Sequence, residues 1–306
     1  MSRVEVAVGV VVRPDGRVLL GQRVAGKPYA GWWECPGGKL ERGESVGEAL
    51  ARELHEELGL EAVRSTPWVV RTFVYPHATV RLHFRLVEHW RGEPRSREGQ
   101  AFDWFDPVRI DCAPLLPATV PVMTWLRWPA VATIGPQVPA GSALHVLEVP
   151  EVDGMSVDAA FRCARDAALA SRGRLLVSSR HPASYAAAAD GLLVRAIDAA
   201  RWPARPALAR VFCETPSPPA HTGTRQRPGP PVLWEPDAWV CAARSPPQPA
   251  SDPVPPPAHA GDANAWPEPG QATVPVFVRP SAAAGVDASA WRAAGYHGVM
   301  IAGPSA

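Results

Sequence analysis

Between Ser45 and Gly59 the sequence Ser-Val-Gly-Glu-Ala-Leu-Ala-Arg-Glu-Leu-His-Glu-Glu-Leu-Gly leaves the backbone few choices. Ser45 is a helix N-cap residue and Gly59 a C-terminal stop, so a helix is expected to run from Ser45 to Leu58. Val46, Leu50, Leu54 and Leu58 recur at helical spacing and form one apolar stripe, which must pack on a sheet. Glu53, Glu56 and Glu57, related by i, i+3 and i+4, share the adjoining stripe. The carboxylates therefore belong at the edge of the buried face. Three like charges placed together repel and raise one another's pKa unless a cation neutralises them. Oxygen-only ligands of this kind suit hard ions, Mg²⁺ or Mn²⁺.

The loop before this helix, Gly38-Lys-Leu-Glu-Arg-Gly-Glu44, completes the pattern, with seven residues separating Glu44 from Arg52. Gly37 and Gly38 permit close backbone approach and positive φ, so a carbonyl can face a metal. Arg52 and Glu44 are placed to form a charge pair holding the loop against the helix. A lone Glu-x-x-Glu-Glu reads most often as a solvated acidic face. The glycines, the outer glutamates and the arginine, all in register with it, favour a metal site instead.

Around this segment the chain alternates strand and helix patterns. Residues 4–13 and 17–23 are apolar runs split by Pro14-Asp15-Gly16, which reads as a hairpin. Trp32 to Cys35 is a short strand pattern. Further strands are expected at 67–75, 79–88 and 101–105, and Thr119 to Trp128 has helical spacing. After Pro129 come short apolar strands within 131–150, at 174–178 and at 192–194, with an Ala-rich helix over 157–172. Half of the 36 prolines lie between 215 and 280. Such density removes backbone donors and predicts extended or disordered loop. A strand at 274–278 and a helix, glycine, strand sequence over 290–301 follow. The chain thus divides into residues 1–129 and 130–306, the second part carrying a Pro-rich insert at about 215–273.

Net charge is +1, from 31 basic and 30 acidic residues, so no global field draws the chain to nucleic acid or membrane. The five cysteines are odd in number and scattered, without a CxxC pair, which predicts neither disulfide framework nor zinc site. No stretch approaches the ~20 apolar residues that cross a bilayer. A soluble cytoplasmic protein is expected, with its oligomeric state open.

The spaced pattern resembles the signature of the Nudix hydrolases, GX5EX7REUXEEXGU with U a bulky aliphatic, and matches every fixed position from Gly38 to Leu60. The resemblance implies an α/β fold, an α/β/α sandwich with a mixed sheet, and attack of water on a phosphorus of a nucleoside diphosphate derivative. It implies that the Gly37 carbonyl and Glu53, Glu56 and Glu57 hold the metal, with Glu44 and Arg52 as supports. Segments VEVAVGVVVRPDGRVLLGQR (4–23), WECPGGKLERGES (33–45), LVEHWRGEP (86–94), REGQAFDW (97–104) and LPATVPV (116–122) extend the likeness. They resemble the MutT-type branch, which hydrolyses 8-oxo-dGTP to the monophosphate and pyrophosphate. That likeness implies Glu98 as an extra carboxylate, metal ligand or general base, and Arg23 as a nucleotide contact. Glu34, Cys35 and Pro36 would line the nucleoside pocket, with Gly37, Gly38 and Lys39 beside the substrate. Thr119 stands where the branch typically places an Asn that reads the oxidised guanine. A hydroxyl cannot present donor and acceptor side by side as an amide does, so base discrimination is expected to weaken.

Residues from about 129 resemble thiamine-phosphate synthase, a TIM-barrel family, through Arg174-Leu-Leu-Val-Ser-Ser, Ala189-Asp-Gly-Leu-Leu-Val, Glu214-Thr-Pro-Ser-Pro-Pro, Pro275-Val-Phe-Val and Ala293 to Gly303. Where that family has Gln-x-Arg-x-Lys this chain has His145-Val-Leu-Glu-Val. Ser178-Ser179 replaces a metal-binding Asn-Asp, and Arg279-Pro280 replaces a phosphate-cradling Gly-Gly. Proline has no N–H to donate. The likeness therefore implies a degenerate TIM-barrel-like α/β domain, non-catalytic or ligand-binding. Together these readings predict a Mg²⁺-dependent (or Mn²⁺-dependent) pyrophosphohydrolase of a free nucleotide, 8-oxo-dGTP, that needs no nucleic acid or membrane partner. The alternatives are hydrolysis of another nucleotide, or a regulatory protein binding a nucleotide or thiamine-related ligand.

Overall fold

The protein was analysed as a computed structural model that describes residues 3–76, 78–149, 156–201, 211–214, 238–243, 276–280, 288–293 and 297–302. It divides into two compact units, the first reaching Trp128 and the second beginning at Pro129.

In the first unit, strands β1 (Val4–Val11), β2 (Val18–Gln22), β3 (Trp33–Glu34) and β4 (Gly37–Lys39) precede helix α1 (Val46–Leu58). Strands β5 (Glu61–Tyr75), β6 (Ala78–Arg91) and β7 (Phe102–Phe105) and helix α2 (Thr119–Trp125) follow. A four-stranded mixed sheet runs β4-β1-β6-β5, in which only the β1–β6 pair is parallel. A second sheet runs β3-β2-β7. The expected hairpin between β1 and β2 closes only at its turn, where the Arg13 amide donates to the Arg17 carbonyl at 2.9 Å. Those strands share a single bridge, Val12 to Val18, and then part into different sheets. The cause is that β4 and β6 occupy both edges of β1, leaving no free ladder for β2.

Helix α1 forms as its ends dictate. The Ser45 side chain accepts from the Glu48 amide while the Glu48 carboxylate accepts from the Ser45 amide, a closed capping box. Gly59 stops the helix with φ 70°, a left-handed geometry that a β-carbon would disfavour. Leu50, Leu54 and Leu58 are fully buried with Ala7 and Val11 of β1 and Val87 of β6. On the opposite side Trp125 of α2 meets Trp68 and Phe84 edge-on, with ring centroids 5.7 and 6.4 Å apart. The order is helix, mixed sheet, helix.

In the second unit, eight strands close into a barrel with every neighbouring pair parallel. They are β8 (Val131–Gly135), β9 (Leu144–Leu147), β10 (Arg174–Ser178), β11 (Gly191–Val194), β12 (Val211–Glu214), β13 (Ala238–Ala243), β14 (Val276–Pro280) and β15 (Gly298–Ala302). Helices α3 (Val157–Ala170), α4 (Ala183–Ala187) and α5 (Ala288–Ala293) are among the described residues. Strand β13 is a regular element inside the stretch expected to be largely loop. Between Pro236 and Pro246 the chain carries Ala-Trp-Val-Cys-Ala-Ala without a proline, enough to pair with β12 and β14. The rest of that insert lies outside the described residues. Cys35, Cys112 and Cys163 are free thiols. No helix among the described residues is long and apolar enough to cross a membrane.

Because Leu54 is fully buried between α1 and β1, Leu54→Ala should lower unfolding stability by about 2–5 kcal/mol in chemical denaturation. A loss well under 1 kcal/mol would contradict this packing.

Candidate active site

The site grows from one cation. Arg52, on α1, grips both oxygens of Glu44, from Nε at 2.8 Å and Nη2 at 3.0 Å. Nη2 also donates to the carbonyl of Lys39 at 3.1 Å. Nη1 donates to Glu53 at 2.9 Å and to Glu56 at 3.1 Å. A single guanidinium therefore fixes the glycine loop to the helix and stands between two of the three helix carboxylates. These charge-assisted bonds, with the amide of Glu41, hold the Glu44 carboxyl down to about 2. The same pairing pushes the Arg52 pKa further up.

The glycines let the carboxylates come close. Gly37 has φ 142°, and a β-carbon there would overlap the Ala7 carbonyl across the β1–β4 ladder. At Gly38 a β-carbon would overlap the Glu53 carboxylate. Glu53 is thus seated directly on the loop, 17% exposed, whereas Glu56 is 53% exposed. Lys39 is exposed and contributes its carbonyl to Arg52.

Glu57 lies one helical turn after Glu53 on α1. The Gly37 amide donates to its Oε2 at 3.3 Å. Burial, and after it the charge of Glu53, raises its carboxyl to about 7. It borders an open cleft of about 400 Å³ whose walls include Arg23, Lys27, Glu34, Pro36, Glu98 and Gln100. Across the cleft, Arg23 donates from Nη1 to both oxygens of Glu34 at 2.6 Å and from Nε to the Pro28 carbonyl at 2.6 Å. Burial raises the Glu34 pKa despite this partner. Lys27 reaches Glu98 at 3.5 Å. The loop bearing Glu98 is fastened to the end of α1, because the Arg95 amide donates to Leu58 O and the Arg97 amide to Glu57 O. These bonds satisfy carbonyls that a helix end leaves open.

Of the residues expected at the site, Arg23, Glu34, Pro36, Glu57 and Glu98 meet at this cleft, with Gly37 touching Glu57. Glu44, Glu53, Glu56 and Gly38 gather around Arg52. Among the described residues no three carboxylate, histidine or cysteine side chains converge as a ready metal cluster. Arg52 bonds Glu53 and Glu56, whereas Glu57 accepts from the Gly37 amide. Cys35 and Thr119 are buried and form no part of the cleft wall. Burial pushes the Cys35 thiol far up, so it stays protonated. Lys27 and Gln100 are site residues that sequence reasoning passes over. Lys27 follows Arg23 in the loop after β2, and Gln100 stands two residues after Glu98 within the segment 97–104.

Residues 3–126 match the NUDIX domain model. An 8-oxo-dGTP diphosphatase of Escherichia coli (strain K12) is 33% identical over 127 residues, which cover 42% of this chain and 98% of that protein. The chain belongs to the Nudix family. An 8-oxo-dGTP diphosphatase of Haemophilus influenzae is 37% identical over 115 residues, covering 38% of this chain and 85% of that protein. A CTP pyrophosphohydrolase of Escherichia coli is 38% identical over 129 residues, covering 40% and 90%. The Nudix domain is a hydrolase acting on phosphoric anhydrides.

The raised Glu57 pKa has a thermodynamic consequence in metal-free protein. The folded chain keeps a proton up to about pH 7 that the unfolded chain releases near 4.5. The stability that Glu57 contributes should therefore be full below 4.5 and be lost as pH rises through 7. Denaturation midpoints measured with chelator across that range should show the slope, and Glu57→Gln should flatten it. Identical slopes in both proteins would contradict the assignment.

Proposed function

We propose that the chain is a divalent-metal-dependent nucleoside triphosphate pyrophosphohydrolase that converts 8-oxo-dGTP to 8-oxo-dGMP and pyrophosphate, clearing oxidised guanine from the nucleotide pool. The observation that carries this reading is the convergence on one cleft of three carboxylates, Glu34, Glu57 and Glu98, with two cations, Arg23 and Lys27. Cations of this kind neutralise a phosphate chain, and carboxylates accept protons from water.

The donor set suits a hard cation. Glu53, Glu56, Glu57 and Glu98 offer only oxygen, and the glycine loop allows the backbone at Gly37 to join them. A carboxylate pushed up to about 7 by burial and a neighbouring charge is one that a divalent ion would relieve. Magnesium, with manganese as the alternative, would supply a Lewis acid and a charge clamp on the phosphates. Arg52 restrains Glu53 and Glu56, and Glu44 keeps Arg52 in place. Glu98, at the solvent edge, serves as a further ligand or takes the proton of the attacking water. Arg23, oriented by Glu34, contacts the nucleotide.

A second reading, hydrolysis of another nucleotide by the same centre, is favoured by one specific observation. Thr119 is 2% exposed, its amide bonded to the Leu116 carbonyl, and its single hydroxyl cannot present a donor and an acceptor side by side to a base edge. The similarity to a CTP pyrophosphohydrolase agrees with that reading. For the second unit we propose a degenerate TIM-barrel-like domain without synthase activity. Supporting this, Ser178 donates to Glu148 at 2.8 Å and Ser179 to Asp198 at 2.7 Å. His145 lies in a closed contact with Thr133 and the Gly135 carbonyl, and burial holds it down to about 4. Arg279-Pro280 ends β14, and its side chains lie outside the described residues.

Pyrophosphate release with Mg²⁺ from 8-oxo-dGTP, dGTP, dCTP and CTP tests both readings. Wild type should prefer 8-oxo-dGTP, and Glu57→Gln should lower its rate by roughly 10²–10⁴-fold. Equal rates for wild type and variant would overturn the catalytic reading. A preference for a cytosine nucleotide would move the substrate and leave the hydrolase in place.

A further inference from the structure

Gln100 makes an arrangement that the reading above does not use. Its side-chain Nε2 donates to the backbone carbonyl of Glu57 at 3.0 Å. Its Oε1 accepts from the backbone amide of Glu98 at 3.1 Å and from the Ser96 hydroxyl at 3.1 Å. Both ends of one amide are therefore occupied, one by the helix residue Glu57 and the other by the loop residue Glu98. The base of Gln100 is itself anchored, because the next residue, Ala101, accepts from the Gln22 amide at 2.7 Å at the edge of β2. A planar amide with both ends engaged behaves as a strut of fixed length.

The strut matters because, among the described residues, the Glu98 side chain is held only loosely. Glu98 is 45% exposed, and Lys27, its side-chain partner at 3.5 Å, is 49% exposed. A solvent-exposed pair of that kind holds geometry weakly. Neighbouring backbone bonds from Arg95 and Arg97 bring the loop to the end of α1 but stop one residue short of Glu98. Gln100 closes that gap and borders the cleft itself.

We propose that Gln100 is a positioning residue of the hydrolytic centre, its amide setting the spacing between Glu98 and Glu57. The proposal rests on the reading that both carboxylates act in the cleft. Gln100 does not touch the reacting atoms. It acts through Glu98, and displacement of a catalytic group by about 1 Å can cost as much as a hundredfold in rate.

Gln100→Met keeps length and volume while removing donor and acceptor. It should lower kcat for pyrophosphate release from 8-oxo-dGTP and dGTP by roughly ten- to a hundredfold, with KM within about twofold. In a Glu98→Gln background the same substitution should have little further effect, since the group it positions is already gone. Independently of activity, hydrogen exchange at residues 95–98 should quicken in Gln100→Met while residues 50–54 of α1 stay protected. Unchanged exchange at 95–98 would overturn the strut. Single effects that multiply in the double variant would overturn its action through Glu98. A wild-type rate in Glu98→Gln beside a slow Gln100→Met would also overturn it, while an inactive Glu57→Gln would leave the hydrolase reading intact.

Discussion

The guanidinium of Arg52 is the interaction on which the first unit's chemistry depends. It is a planar group with donors in a fixed fork, and each donor here has an assigned acceptor. Two donors go to Glu44, one of these also reaches the Lys39 carbonyl, and the third serves Glu53 and Glu56. Lysine could not replace it, because a single ammonium on a flexible stem cannot address a carboxylate bidentately and a backbone carbonyl beside it. The clamp fixes the loop whose glycines admit Glu53, and it offsets the repulsion that three neighbouring carboxylates would otherwise suffer. Glu57, which the clamp does not reach, keeps the perturbed pKa.

Much of this was legible in the amino-acid sequence because it is local. The cap at Ser45, the stop at Gly59, the apolar stripe of Leu50, Leu54 and Leu58 and the Glu44–Arg52 pair are separated by helical or short-loop spacings. Periodicity and charge are enough to read such features. The parting of β1 and β2 into separate sheets was not legible, since it depends on β4 and β6 claiming both edges of β1 from far along the chain. The strand Ala238–Ala243 was hidden by the prolines around it. Lys27 and Gln100 escaped for a related reason. Each owes its place to a loop folding back on a helix end or a cleft, and neither belongs to a spaced motif.

The two units treat polar groups differently. In the first, charged side chains line an open cleft, and some of their capacity faces solvent. In the barrel the corresponding groups are turned on one another. Because the Gly135 carbonyl can only accept, His145 must carry its proton on Nε2 and accept from Thr133 at Nδ1, which is the neutral form that burial favours. Ser178, Ser179 and Asp198 likewise spend their bonding on neighbours, with Arg195 completing the set. Polar groups satisfied in this way stabilise a fold and have less capacity left for a ligand.

In the proposed reaction the clamped loop and helix direct water to the phosphate chain so that pyrophosphate leaves. Product analysis of dGTP hydrolysis with Mg²⁺ in ¹⁸O-enriched water tests this most directly. The predicted products are nucleoside monophosphate and pyrophosphate in equal amounts, with a single ¹⁸O in one of them and no orthophosphate formed. Release of orthophosphate with nucleoside diphosphate would contradict it.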